Sequence, residues 1–309
     1  MMAHGRSNGA ATASGAGQAQ LRAPLGRSLT PTQRCPRLRP PSRPLLPAVL
    51  QTASIIWCHG LGDTNHGWAD ILQSSVSLPH IRWVFPNAPT QAVTLNMGMS
   101  MPSWFDIRGL DENMQEAKED IDEAVGWMLE LARREVAAGI PPERVVVGGF
   151  SQGGAMALRT LLTAGEDLKL GGAVVLSSWL TLRNEYEGRA LSEHAIKAPL
   201  FWAHGTGDMV VHFDRGLKSK ELVEAMGKEA IEWRTYAGMA HSSCPQEIDH
   251  LGAWLKQTLP GDFKLPAPSE DEVRRLKVGE LKKLITSRGG SFAGLFEKSE
   301  LIEAALKLI

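Results

Sequence analysis

Ser151 stands in the stretch VVVGGFSQGGAMAL, which begins at Val145. A serine hydroxyl is a poor nucleophile near neutral pH unless a base takes its proton and a third group orients that base. The neighbouring residues say how this one would be presented. Three valines run into two glycines, and small and apolar residues follow the serine, so a strand ends and a helix begins here. Gly149 and Gly153 complete a G-x-S-x-G pattern, the signature of a nucleophile on a sharp strand-to-helix turn. Glycine permits the close approach of strand and helix that a side chain would block. The next backbone N–H, that of Gln152, falls at the helix N-terminus, where partial positive charge would stabilise a developing oxyanion.

The base and its partner follow later in the chain. Where such a turn carries a catalytic serine, the order is serine, then acid, then histidine. In FWAHGTGDMVVHF, Asp208 lies in the loop past a strand's carboxyl end, where sites form in open α/β sheets. In IEWRTYAGMAHSSCP, His241 occupies the loop after the next strand. His204, His212, Asp214, Asp249 and His250 are the competing side chains. Asp214 reads as a helix N-cap and His250 as a packing or surface residue of the helical QEIDHLGAWLKQ. Order and loop position favour Asp208 as the acid and His241 as the base. A second oxyanion donor is expected from a glycine-rich loop after an early strand, and His59-Gly60-Leu61-Gly62-Asp63 in IIWCHGLGDTNHGW fits, with the Leu61 N–H as donor.

These residues need a scaffold. From Ser54 to about Leu259, short apolar runs (SIIWC, IRWVF, RVVVGGF, GAVVLSS, PLFWAH, IEWRTY) alternate with amphipathic segments. In MQEAKEDIDEAVGWMLELARREVAAG, Ala117, Ile121, Ala124, Val125 and Met128 recur at helical spacing. Strands apolar on both faces and separated by helices predict an α/β fold: a mostly parallel central sheet with helices on both faces. LPGDFKLPAPSED then reads as a linker, and the segment after it as two or three short helices, Ser269 and Glu272 forming a capping box. The expected organisation is an extension over 1–50, a catalytic domain over 51–260, a linker over 261–270 and a small all-α module over 271–309.

At 309 residues, with 43% apolar and 22% charged residues, the chain is of ordinary globular composition. A net charge of −1 argues against a nucleic-acid or anionic-membrane surface, and no apolar run is long enough for a transmembrane helix. Three widely separated cysteines, Cys35, Cys58 and Cys244, form no disulfide framework and suit a reducing compartment, read as the cytoplasm. No zinc-ligand spacing occurs, so neither metal nor cofactor is expected. Residues 1–50 are rich in Ala, Gly, Pro and Arg, and no acidic residue precedes Asp63. That composition is either a disordered extension or a plastid or mitochondrial transit peptide.

In this order, HGLGD, PNAP, TLNMGMSMPSWFDI, GFSQGGAMAL, HGTGD and GMAH resemble the acyl-protein thioesterase and carboxylesterase (lysophospholipase-like) family of α/β-hydrolases. The resemblance spans about Ile55 to Leu259. It implies hydrolysis of acyl thioesters of palmitoylated proteins, of small carboxylesters or of lysophospholipids, without a cofactor. By motif position the family's triad falls on Ser151, Asp208 and His241, and its oxyanion donors on Leu61 and Gln152. It further implies that Leu95, Met97, Met99, Met101 and Trp104, a soft apolar set in a stretch read as irregular, shelter the acyl chain, with ordinary core packing as the other reading. Met209, His212 and Thr181 depart from the family's prolines, which bears on substrate preference rather than on the triad.

The C-terminal segment VRRLKVGELKKLITSRGGSFAGLFEKSELIEAAL resembles SAP-like helical modules, some of which bind DNA and others proteins. From Glu270 onward, eight Lys/Arg face seven Asp/Glu, a balance that disfavours phosphate binding and favours a protein partner or simple packing on the hydrolase.

Overall fold

Each strand of the central region sends alternate side chains to opposite faces, and this period of two divides the interior into two cores. The computed structural model describes residues 51–109, 115–186, 188–263 and 267–309. The extension over 1–50 lies outside them. In chain order the elements are β1 (Ala53–Cys58), α1 (His66–Ser75), β2 (Ile81–Val84), β3 (Thr90–Val93), β4 (Met99–Pro102), α2 (Lys118–Ala137), β5 (Val145–Phe150), α3 (Gln152–Thr163), β6 (Gly172–Leu176), α4 (Glu193–Lys197), β7 (Leu200–Gly205), α5 (Phe213–Ala225), β8 (Ile231–Tyr236) and α6 (Pro245–Thr258). Three helices follow: α7 (Glu270–Arg275), α8 (Val278–Ser287) and α9 (Lys298–Leu306).

Six strands form one sheet in the order β2-β1-β5-β6-β7-β8, and every neighbouring pair is parallel. On one face Ile56, Val147, Val175 and Trp202 meet the buried residues of α2 and α3, among them Ile121, Met128 and Leu158. On the other, Ile55, Val146, Val174 and Phe201 meet Trp68 and Leu72 of α1 and Leu251 and Trp254 of α6. The expected sheet covered on both faces is therefore what the chain forms. At the edge, β8 is only half-buried, with polar residues alternating along it.

Chain order reverses between β1 and β5, since β2 lies on one side of β1 and β5 on the other. In parallel sheets a crevice opens beyond the strand ends at such a point. The loop after β1 and the turn after β5 both border it.

Two local expectations need correction. TLNMGMSMPSW, read as irregular, contains β4, which pairs antiparallel with β3 just before the stretch, from Thr90 opposite Pro102 to Val93 opposite Met99. Asp214 is not the N-cap of α5: that position is His212, and Asp214 lies inside the first turn, where a carboxylate still complements the helix dipole.

The helices α7 to α9 have an apolar cluster of their own, centred on Val273, Leu281, Ile285, Leu301 and Ala305. The capping box at Ser269 is present: Ser269 Oγ accepts from the Glu272 N–H, and the Glu272 carboxylate accepts from the Ser269 N–H.

Candidate active site

Ser151 sits between β5 and α3 with φ 54° and ψ −121°, a conformation that side chains rarely adopt and that costs on the order of 1–3 kcal/mol. Its surroundings hold it there. The Ser151 N–H donates to Leu176 O at 2.8 Å, and Ser151 O accepts from Ser178 Oγ at 2.6 Å and from the Ala155 N–H at 3.1 Å. The flanking glycines are required by contact with backbone. A Cβ on Gly153 would stand 2.1 Å from Cys58 O, and one on Gly149 would stand 2.4 Å from the Gly153 carbonyl carbon. Neither neighbour can move without shifting β1 or α3.

The raised hydroxyl meets His241. Ser151 Oγ lies 2.9 Å from His241 Nε2, and His241 Nδ1 lies 2.8 Å from Asp208 Oδ2. Strand ends β5 and β7 and the loop after β8 thus bring together three residues far apart in sequence. Asp208 is buried. Its Oδ1 accepts from the N–H groups of Val210 and Val211, each at 2.9 Å. Burial alone would raise its pKa, but hydrogen bonds from His204, His241 and the Val210 N–H outweigh it and hold the carboxyl well below its ordinary range. It is a fixed negative charge under the imidazole. Phe150 packs on the His241 ring at a centroid distance of 4.8 Å. His250, by contrast, lies beyond this line, its Nδ1 3.1 Å from the Tyr236 hydroxyl.

The loop after β1 is set by a buried histidine. His59 Nε2 accepts from the Ala88 N–H at 3.1 Å, so the ring proton sits on Nδ1, which donates to Gly60 O at 2.7 Å. Burial lowers its pKa, against smaller upward contributions from Gly60 O and Asp63. Gly62 takes φ 77° and its N–H donates to Pro102 O at 2.8 Å. Leu61 and Gly60 line the cavity beside Ser151.

Gln152 begins α3, as the sequence predicts, but its side chain has a task the sequence does not reveal. The fully buried amide accepts from the Trp104 N–H at 3.0 Å and donates to Ser103 Oγ at 3.0 Å and to Phe105 O at 2.7 Å. Trp104 in turn donates from Nε1 to His59 O at 2.8 Å. One chain of hydrogen bonds therefore links the start of α3, the 103–105 segment and the loop of Leu61. A polar residue directly after the elbow serine was the only available signal.

A cavity of about 270 Å³ opens at Ser151 and His241, walled by Trp68, Leu95, Ile107, Trp179 and Val210. Of the five residues expected to shelter an acyl chain, Leu95 is in this wall. Trp104 is buried beneath it, and Met101 is half-buried with its sulfur 3.7 Å from where a Gly62 side chain would begin. Met97, between the turn Thr94–Asn96 and β4, and Met99, at the start of β4, are 91% and 56% exposed and do not line this cavity. Met209 is exposed next to Val210 of this wall, and Thr181 is buried. A larger groove of about 710 Å³ between Leu170, His194 and Trp254 lies at the other, amino-terminal edge of the sheet, away from Ser151.

Among the described residues no cluster of His, Cys, Asp and Glu is placed to hold a metal ion, and no helix is long and apolar enough to cross a membrane. Residues 46–259 match the phospholipase/carboxylesterase family. Acyl-protein thioesterase 1 of Cryptococcus neoformans is 42% identical over 229 residues, covering 69% of this chain and 95% of that protein. Acyl-protein thioesterase 1 of Neurospora crassa is 39% identical over 232 residues, with 72% and 93% covered. Among solved structures, Zea mays acyl-protein thioesterase 2 superposes with a TM-score of 0.60 at 30% identity, covering 70% of this chain and 97% of that one. Arabidopsis thaliana SOBER1 gives 0.62 at 32% identity, with 67% and 99% covered.

Proposed function

The chain belongs to the phospholipase/carboxylesterase family and is a serine hydrolase of the α/β-hydrolase fold, and on that premise we propose that it removes acyl chains from proteins by cleaving their thioesters. The observation that carries the mechanism is the line Ser151 Oγ, His241, Asp208 with an apolar cavity beside it. Ser151 Oγ attacks the carbonyl carbon while His241 Nε2 takes its proton. The oxyanion is held by the N–H groups of Leu61 and Gln152. The tetrahedral intermediate collapses, the thiol leaves with the proton from His241, and an acyl ester on Ser151 remains. Water, deprotonated by the same imidazole, releases the fatty acid and restores the hydroxyl. Asp208 stabilises the imidazolium in both halves. No step requires a cofactor.

Leu95, Ile107, Trp179 and Val210 give the acyl chain an apolar wall. The names of the relatives favour the protein thioester over other esters. A panel of palmitoyl-thioester peptide, lysophospholipid and short p-nitrophenyl esters tests this: kcat/KM is expected to be highest on the palmitoyl thioester. A preference for lysophospholipid would replace the reading with that of a lipase.

We further propose that residues 271–309 form a separate SAP-like module that docks a protein partner, and that the enzyme works in the cytoplasm. The self-contained apolar cluster of α7 to α9 supports the first, and the widely spaced cysteines suit the second. A stop after Phe263 is the informative truncation, because the Phe263 ring lies 4.1 Å from the Arg144 guanidinium, which also donates to Thr52 O and Pro260 O. The shortened protein is expected to hydrolyse a small soluble ester with kcat/KM within about tenfold of the full chain, equivalent to about 1.4 kcal/mol of transition-state stabilisation. A larger drop would make the module part of the active site.

A further inference from the structure

Asp208 meets two histidines, and only one of them faces the serine. The second, His204, is fully buried near the end of β7. Its Nε2 lies 2.8 Å from Val211 O and 3.5 Å from Asp208 Oδ2. A carbonyl oxygen only accepts, so Nε2 carries the ring proton and leans between these two oxygens. Val211 is also the residue whose N–H donates to the other Asp208 oxygen, and it lines the cavity. His204 therefore clamps the loop from Asp208 to Val211, and it approaches the same carboxylate oxygen that His241 Nδ1 meets.

The rest of the ring lies in a slot fitted to it. Phe213 and Trp233 pack against it at centroid distances of 5.9 and 6.4 Å. Gly216, inside α5, leaves room for its other edge: a Cβ there would stand 2.5 Å from Nδ1 and 2.7 Å from Cε1. Glycine within a helix costs about 1 kcal/mol relative to alanine, so space for the ring accounts for its presence. Nδ1 is buried with no hydrogen-bond partner. An apolar side chain would fill the slot without that cost, so packing alone does not explain a histidine. The use of the ring lies in its other nitrogen.

We propose that His204 is a positioning residue for hydrolysis, its Nε2–H fixing the Asp208 carboxylate and the Val211 backbone so that His241 is aimed at Ser151. This rests on the triad reading above. Removing that donor has two consequences. The Asp208 loop loosens, which lowers kcat and leaves binding in the cavity intact. The carboxylate also loses a donor that fixes its direction towards His241, so a donor returned to the same place restores kcat. Glu247 of α6, pushed up to about 7 by burial, also senses His204. It is retained in every variant, so the variants are compared on a common background.

The experiment measures kcat, KM and Tm, with kcat and KM on a short p-nitrophenyl ester, for five proteins: wild type, His204→Gln, His204→Leu, Gly216→Ala and Asp208→Asn. His204→Gln returns an N–H close to the Nε2 position and is expected to keep kcat within about fivefold of wild type. His204→Leu fills the slot without a donor. It is expected to lose about 10- to 100-fold in kcat with KM within about twofold. Gly216→Ala, which displaces the ring without touching Asp208, is expected to show the same signature more weakly. Wild-type kcat in His204→Leu overturns the proposal, as does an equal loss in the Gln and Leu variants. If His204→Leu does not fold, Gly216→Ala decides, and a wild-type kcat there is the overturning result. Asp208→Asn separates the two levels: if it stays active, the triad reading itself fails, whereas an inactive Asp208→Asn beside an unimpaired His204→Leu removes only the positioning role.

Discussion

Ser151→Ala loses kcat by on the order of a million-fold on any ester, as removal of the nucleophile does in serine hydrolases whose triad acts as a unit. The fold survives the change. The constraints on position 151 come from its backbone, through Leu176 O, Ser178 Oγ and the Ala155 N–H, and alanine keeps all three. The lost side-chain hydrogen bond is the one to His241 Nε2, which lines the cavity and so stays within reach of water. A stability change below about 1 kcal/mol is expected, or a Tm shift of a few degrees in a protein of this size. Residual hydrolysis above the uncatalysed rate is expected from the oxyanion donors and the cavity. Labelling by a fluorophosphonate probe, which reads an activated serine directly, disappears. A purified variant that keeps more than about one per cent of wild-type esterase activity, or that still takes the probe, removes Ser151 from the mechanism.

What the sequence makes legible is what depends on local pattern. The run Val145–Val147 into Gly149 and Ser151 specifies a strand, a turn and a helix, because each residue type there has a conformational consequence within a few positions. The double-sided burial of β1, β5, β6 and β7 follows from their continuous apolar runs. Chain order points to Asp208 and His241 among rival carboxylates and imidazoles, and the two lie in line with Ser151 Oγ. What it leaves hidden depends on long-range partners. The amide of Gln152 takes its role from Ser103 and Trp104, 49 and 48 residues away, and no periodicity encodes that contact. The tautomer of His59 is set by the Ala88 N–H, 29 residues on. The exposure of Met97 and Met99 goes with the pairing of β3 and β4, a contact across the turn that no apolar periodicity of the stretch encodes. Leu95, only two residues earlier, reaches the cavity wall because the short helical turn Thr94–Asn96 follows β3 directly.

His241→Ala is expected to come close to Ser151→Ala in severity, again on the order of a million-fold in kcat. The imidazole has two positions to fill at once, 2.9 Å from Ser151 Oγ and 2.8 Å from Asp208 Oδ2, and among the described residues no other side chain spans that gap. His204 touches Asp208 but is buried behind it, against Gly216, and cannot turn towards the serine. His212 is at the N-cap of α5, and His250 is bound to the Tyr236 hydroxyl on the far side of the loop. His212→Ala and His250→Ala are therefore expected to keep kcat within about tenfold of wild type, a cost of at most about 1.4 kcal/mol. The loss in His241→Ala is expected on kcat rather than KM, since the apolar wall proposed to bind the acyl chain is unchanged. Asp208 is then left buried with one hydrogen bond fewer and its carboxylate is less well stabilised, so a modest fall in Tm accompanies the loss of activity. A parallel assay of the three alanine variants on one ester tests the assignment: an active His241→Ala beside an inactive His212→Ala or His250→Ala would move the base to another residue and dissolve the triad.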